Sequence, residues 1–190
     1  RRSTYPAYAW EMNYYADGLV GGLWRFEIDN AGFVVWTTCA HAGWADDPES
    51  YLREHWETVR TATDLLVEWR DPETGLHAPA QEDDNPAYTQ TLHGAITTFG
   101  AIEIASRAAR LLGEDETALR WEDRAAELRD AILEELYLEE EGYFVSRGTA
   151  INPGSAPTGA SAWLVWPMKL LPYDDPRMEQ QLRRDLGIVA

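Results

Sequence analysis

The stretch that decides the fold runs from Gly75 to Gly113, GLHAPAQEDDNPAYTQTLHGAITTFGAIEIASRAARLLG. Its first part, Gly75 to Asn85, is a loop carrying three consecutive acids, Glu82, Asp83 and Asp84. Asn85-Pro86 reads as a helix start, since Asn favours the N-cap and proline the first helical position. The helix is expected over Pro86 to Leu112, with Leu92, Ile96, Phe99, Ile102 and Leu112 inward and Gly113 as its C-cap. Ala95, Gly100, Ala101, Ala105 and Ala108 keep its surface thin enough for close helix approach. Two readings of the acids stand side by side. Acids before a helix suit the positive end of its dipole and need no further role. An acid triplet at the mouth of a buried helix is also the arrangement of a catalytic carboxylate site.

On either side the chain continues in helical hairpins. A first helix, capped by Asp29 or Asn30 and almost wholly apolar from Phe33 to Ala42, ends near Gly43. Asp47-Pro48-Glu49 starts a second, amphipathic helix that stops before Asp71-Pro72, because the residue before proline avoids the helical region. Downstream, a fourth helix is expected from Glu114 to about Leu136, with Leu119, Ala125, Leu128 and Ile132 inward. Glu139 to Val145 reads as a turn and short strand, and Arg147 to Gly159 as a Gly/Pro/Ser-rich loop. Ala160 to Leu171 is expected to form a fifth, very apolar helix interrupted by Pro167, and Asp175-Pro176 to cap a sixth. Residues 1–28 are aromatic and irregular.

Apolar helices thus alternate with charged ones, as concentric inner and outer rings require. The expected class is all-α: one helical domain over 1–190, its hairpins forming part of an (α/α)6 toroid. Three hairpins do not close a ring of that size, so the chain is expected to be a segment of a larger toroid. A compact six-helix bundle is the plainer alternative.

The composition excludes several classes of function. A net charge of −17 opposes nucleic acid and anionic membrane surfaces. No apolar run reaches spanning length. Cys39 is alone, so no internal disulfide or cysteine-based metal site is expected. His41, His55, His77 and His93 show no metal-ligand spacing, and neither metal nor cofactor is expected. The chain opens on Arg1-Arg2-Ser3 without Met, as a processed or partial product would, and leaves the compartment open, leaning to the cytoplasm. Nine tryptophans exceed what a core of this size needs and suit sugar binding, because flat rings stack on the C–H faces of pyranoses.

The order of loop, acid and inner helix resembles the six-hairpin glycosidases, most closely the glucoamylase family of glycoside hydrolases with its glucodextranase and bacterial trehalase relatives. Four pieces carry it: EIDNAGFVVWTT, LREHWETVRTATDLLVEWRDPETGL, GLHAPAQEDDNPAYTQT and GASAWLVWPMKLLPYDDPRM. The third resembles the family's acid-bearing loop, followed nine positions on by a Thr that begins the next inner helix, as Thr91 follows Glu82. The resemblance implies Glu82 as general acid and Asp83 as the neighbouring acid that holds the sugar. It also implies Trp24 as an aromatic wall. Trp10, Asp29 and His77 are further candidates for substrate contact. Gln81, Asp83 and Asp84 stand where the family has Trp, Glu and often a basic residue. No residue of this chain matches the family's catalytic base.

The implied activity is inverting hydrolysis of α-linked glucosides or oligosaccharides. Inversion needs a protonated acid facing a second carboxylate about 6.5–9.5 Å away, leaving room for water. Like-charged Asp83 and Asp84 beside Glu82 favour its protonated form. A sugar epimerase on the same toroid is a second reading, for which His77 with His93 is the available His pair. A non-catalytic carbohydrate-binding or structural helical protein is a third. Oligomeric state is not legible in the sequence.

Overall fold

The computed structural model describes residues 13–14, 16–17, 19–21, 27–82, 85–145 and 159–187. Five α-helices lie among them: α1 (Ile28–Ala42), α2 (Pro48–Glu68), α3 (Leu92–Leu112), α4 (Asp115–Glu135) and α5 (Pro176–Asp185). Short antiparallel ribbons join or precede them. They pair β1 (Asn13–Tyr14) with β2 (Val20–Gly21), β3 (Ala80–Glu82) with β4 (Asn85–Thr89), and β5 (Tyr137–Leu138) with β6 (Tyr143–Phe144).

The caps follow the local sequence. Asp47 accepts a hydrogen bond from Ser50 N at 3.1 Å and Pro48 opens α2. Asp175 caps α5 in the same way, from Arg177 N at 3.0 Å, with Pro176 at its start. Gly113 closes α3 at φ 78°, a left-handed conformation that costs a residue with a Cβ.

α3 is the central element. It is buried along most of its length, packs on α1, α2 and α4, and carries Leu92, Ile96, Phe99, Ile102 and Leu112 inward as expected. Thr97 of α3 meets Gly32 of α1 so closely that a Cβ on Gly32 would overlap its methyl, which is why a residue without one stands there. α2 and α4 bury one stripe each. In α4 the stripe is Ala118, Trp121, Ala125, Leu128 and Ile132, and Leu119, expected inward, is 52% exposed. The apolar α1 and α3 therefore alternate with α2 and α4, which bury one charge-flanked stripe each. The chain is mostly helical, and its hairpins form part of a toroid-type array.

Four further expectations change. Ala80–Glu82, expected within a loop, is a strand. The segment Asn85–Thr89 is a strand, and α3 begins only after Thr91, whose side chain accepts from Gly94 N at 3.0 Å. Tyr88 and Thr89 favour extended backbone, and Pro86 is tolerated at a strand start, so the Asn-Pro pair opens a strand there. Asp29 and Asn30 lie inside α1 rather than capping it; Glu27 precedes the helix, and Asn30 Nδ2 donates to Glu27 Oε2 at 2.9 Å. Ala160 to Leu171 is not an α-helix but a 3-10 turn, Gly159–Leu164, followed by irregular chain. Pro167 lacks the N–H and its ring collides with the carbonyl four residues back, so an α-helix does not continue through it.

Candidate active site

The two inner helices begin side by side. β3 runs next to the start of α1, where Glu27 and Gln81 form a parallel bridge. This brings Glu82 at the end of β3 to the N-terminus of α3, and Asp29 in the first turn of α1 close enough for their charges to interact.

Glu82 is 2% exposed and fully engaged. Its Oε2 accepts a hydrogen bond from Gly94 N at 2.8 Å and a short one from Thr91 Oγ1. Its Oε1 accepts from Thr91 N at 3.3 Å and lies 3.2 Å from His77 Nε2. A Cβ at Gly94 would overlap the Glu82 carboxylate, so glycine there leaves the carboxylate its place. Burial pushes the Glu82 carboxyl above its ordinary range, and the negative charge of Asp29 adds to this. The neighbouring His77 and the bonds from Thr91 and Gly94 pull it back without cancelling the rise.

His77 has no exposed surface. Its Nδ1 lies 2.8 Å from Ala78 O. The turn that carries it is clamped from two sides. Gln90 Nε2 donates to His77 O at 2.9 Å and to Asp71 Oδ2 at 2.8 Å. Buried Arg124, on α4, donates to Gly75 O at 2.8 Å and Leu76 O at 3.2 Å. His77, expected to touch ligand, is enclosed and faces Glu82.

The second carboxylate has its own imidazole. Asp29 Oδ2 lies 3.0 Å from His93 Nε2. The His93 ring packs against Trp163 at 4.8 Å between centroids, and Phe33 meets both rings edge-on, at 6.2 Å from His93 and 5.3 Å from Trp163. All three rings are half-buried, unlike the enclosed pair behind them. His77 and His93 therefore serve different carboxylates, which leaves the paired arrangement an epimerase reading asks for without support.

Phe33, Trp163 and the ligation of Asp29 by His93 were not singled out from sequence. The signals were present, an apolar position on an inner helix and an aromatic in the Gly-rich fourth piece, but nothing in the sequence joins them across 130 residues. Trp10, Trp24 and Asp83, the other expected contacts, lie outside the described residues. Among the described residues no cluster of side chains has the make-up of a metal site. Cys39 is buried, its thiol pushed up to about 12 by burial, and is inert. No helix is long and apolar enough to cross a membrane among the described residues.

Residues 36–178 match the model of the bacterial alpha-L-rhamnosidase six-hairpin glycosidase domain. The chain belongs to that family. Its matched span holds His77, Glu82, Thr91, His93 and Trp163; Asp29 lies just before it. The structure superposes on a rhamnosidase from Klebsiella oxytoca with rhamnose bound, with a TM-score of 0.70 and 20% identity, over 95% of this chain and 34% of that one. It also superposes on a GH78 family rhamnosidase of Bacillus sp. GL1, with a TM-score of 0.63 and 16% identity, over 82% of this chain and 16% of that one. At those identities the likeness is one of fold, and the chain spans about a third of the Klebsiella enzyme's length and less of the other. No curated protein sequence matches. The six-hairpin glycosidases are thereby supported as a group. Closeness to the glucoamylase family, expected from the acid loop, is not; the family matched is that of the rhamnosidases.

Proposed function

We propose that this chain supplies the general-acid side of a glycoside hydrolase site, with Glu82 as the acid and α-L-rhamnosides as the substrate class. The observation that carries it is the convergence of Glu82 and Asp29 at adjoining starts of two inner helices, in a chain of the rhamnosidase six-hairpin family. The resemblance to glucoamylases implied α-linked glucosides; family membership and a solved relative holding rhamnose favour the 6-deoxy sugar instead.

The chemistry follows from the environment of Glu82. Cleaving a glycosidic bond requires a proton on the departing oxygen, and a carboxyl whose hold on its proton is strengthened by burial is suited to supply it. Asp29, held by His93, orients sugar hydroxyls beside it, and the half-buried face of Trp163 takes the apolar face of the ring. Trp10, Trp24 and Asp83 remain proposed contacts of the same sugar. Inversion is the proposed stereochemical course, its opposing base coming from elsewhere in the toroid. The domain reading is the same: 1–190 as one helical segment of a larger ring.

Glu82→Gln in the full protein is the test. Hydrolysis of an aryl α-L-rhamnoside is expected to fall about 10²-fold or more, with the aryl α-glucoside a poorer substrate throughout. Unchanged hydrolysis removes Glu82 from the acid role. One observation favours a second reading. The Glu82 carboxylate accepts from Thr91 and Gly94, as a purely structural cap of α3 in a carbohydrate-binding domain does. In that case Glu82→Gln lowers thermal stability and leaves sugar affinity intact, with no hydrolysis in either form.

A further inference from the structure

Among the described residues, His77 is the titratable side chain nearest Glu82, and the proposed chemistry does not use it. We infer that His77 is a positioning residue for Glu82, a neutral imidazole protonated at Nδ1 whose Nε2 accepts the carboxyl proton carried on Glu82 Oε1.

The atoms assign themselves in turn. Ala78 O only accepts, so the His77 Nδ1 that lies 2.8 Å from it carries a hydrogen. A neutral ring with its hydrogen on Nδ1 has a bare lone pair on Nε2. That Nε2 is buried and has no well-aligned hydrogen-bond partner; Glu82 Oε1 stands 3.2 Å away. A ring N–H is fixed in the imidazole plane and weakens steeply when out of line with its acceptor, whereas a carboxyl O–H aims its own hydrogen, so the poor alignment at Nε2 favours Glu82 as the donor. The two oxygens of Glu82 are also unequal. Oε2 takes a backbone N–H and a hydroxyl, so it is the acceptor. Oε1 has only the longer contact from Thr91 N and faces a lone pair, so the proton belongs there. A neutral pair also avoids placing another negative charge near Asp29 in a dry site.

The charged groups on the elements around the pair fit this. Asp29 and Glu27 come from the start of α1, and His93, from α3, is taken up by Asp29. On the outer side Asp71 is bound by Gln90, and Arg124 by Glu127 at 3.0 Å and by two carbonyls of the turn. These clamps fix the turn that carries His77 and so fix where Nε2 points.

For catalysis the inference rests on Glu82 being the acid; for the protonation state it does not. Long-range proton–nitrogen correlations of the four histidine rings, with His77 assigned through its backbone in the native full chain, read the state directly. The expected pattern is a protonated Nδ1 with a bare, hydrogen-bonded Nε2 at pH 7. Both nitrogens protonated, or hydrogen on Nε2 alone, overturns the inference whatever the protein hydrolyses. His77→Leu, which leaves no acceptor, then tests the catalytic consequence, with His77→Gln, whose amide oxygen accepts, expected to restore part of it. A hydrogen bond to the neutral acid holds its proton on, so losing the Nε2 acceptor is expected to move the alkaline limb of kcat against pH down by about half a unit or more, with KM unchanged. A uniform fall in kcat with the limb in place overturns the positioning role. Loss of hydrolysis on Glu82→Gln with the expected ring pattern sustains both readings; the expected ring pattern with hydrolysis intact in Glu82→Gln sustains the pairing and removes the acid.

Discussion

Glu82 serves two masters at the residue scale, and the signs of its interactions separate them. As a cap it wants to be ionised, because Thr91 and Gly94 donate to it. As a buried acid it wants its proton, and burial wins, leaving its carboxyl above the ordinary value of 4.5. A carboxyl raised on folding stabilises the fold fully below its unfolded value, and that contribution is lost as pH rises through the folded value. Asp47, Asp71 and Asp175 are held low by hydrogen bonds and work the other way, contributing above their ordinary range and losing it as pH falls. Glu82→Gln deletes only the first of these. The melting-temperature difference, wild type minus variant, is therefore expected to be greatest at or below pH 4.5 and to shrink as pH rises. Thermal melts across that range check it; a difference that grows with pH would mean the carboxylate, not the acid, is the buried form.

At the element scale the start of α3 sets the site, and Gly94 is its tightest point. Ala in a helix is ordinarily favoured over Gly by about 1 kcal/mol. At Gly94 a Cβ meets the Glu82 carboxylate, a contact that overpacking data value at about 1–3 kcal/mol. Gly94→Ala is expected to destabilise the protein by up to about 2 kcal/mol and to suppress hydrolysis with it. Gly113→Ala, at φ 78° with open space beside it, is expected to cost about 1 kcal/mol and leave hydrolysis alone. Denaturant melts and assays of the two variants read the contrast; equal effects on activity would detach the helix start from the chemistry. The same element shows what sequence does and does not disclose. Two start signals compete, Asn85-Pro86 and Thr91, and local preference alone leans to the proline. What decides for Thr91 is long-range: β3 has to pair with β4 and Glu82 has to reach the helix end. The Ala160–Leu171 segment fails for a local reason, since Pro167 was visible, yet its apolarity outweighed it. The nine-residue spacing from Glu82 to Thr91 was legible through the family resemblance, and the β3–β4 pair is what turns it into a contact. Asp29 with His93 was not, because it joins two helices 64 positions apart.

Across the whole molecule, hairpin order and the inner–outer alternation were legible because each helix announces its buried face by periodicity. The ring they belong to was legible through a resemblance, and which branch of the six-hairpin glycosidases it is was not; the family match to the rhamnosidases decided that. Charge is the other whole-molecule property, and it yields a prediction. The chain carries 33 acids against 16 Lys and Arg. Among the described residues the arginines largely pair with neighbouring acids on exposed helix faces, as Arg53 with Glu49, Arg107 with Glu103 and Arg183 with Glu179 do. Exposed pairs of this kind contribute about 0–1 kcal/mol each and are screened by salt. Self-repulsion of a net −17 is screened as well, and it acts over the whole surface. Sodium chloride at about 0.1 M shortens the screening length to about 10 Å, enough to quench repulsion between helices while sparing contacts inside the buried site. The melting temperature is therefore expected to rise by a few degrees between low salt and about 0.2 M, and to level off once repulsion is screened. A scan of melts against sodium chloride at pH 7 decides it. A steady fall instead would show that the surface pairs outweigh the repulsion, and that the acidic excess is held in place by its arginines.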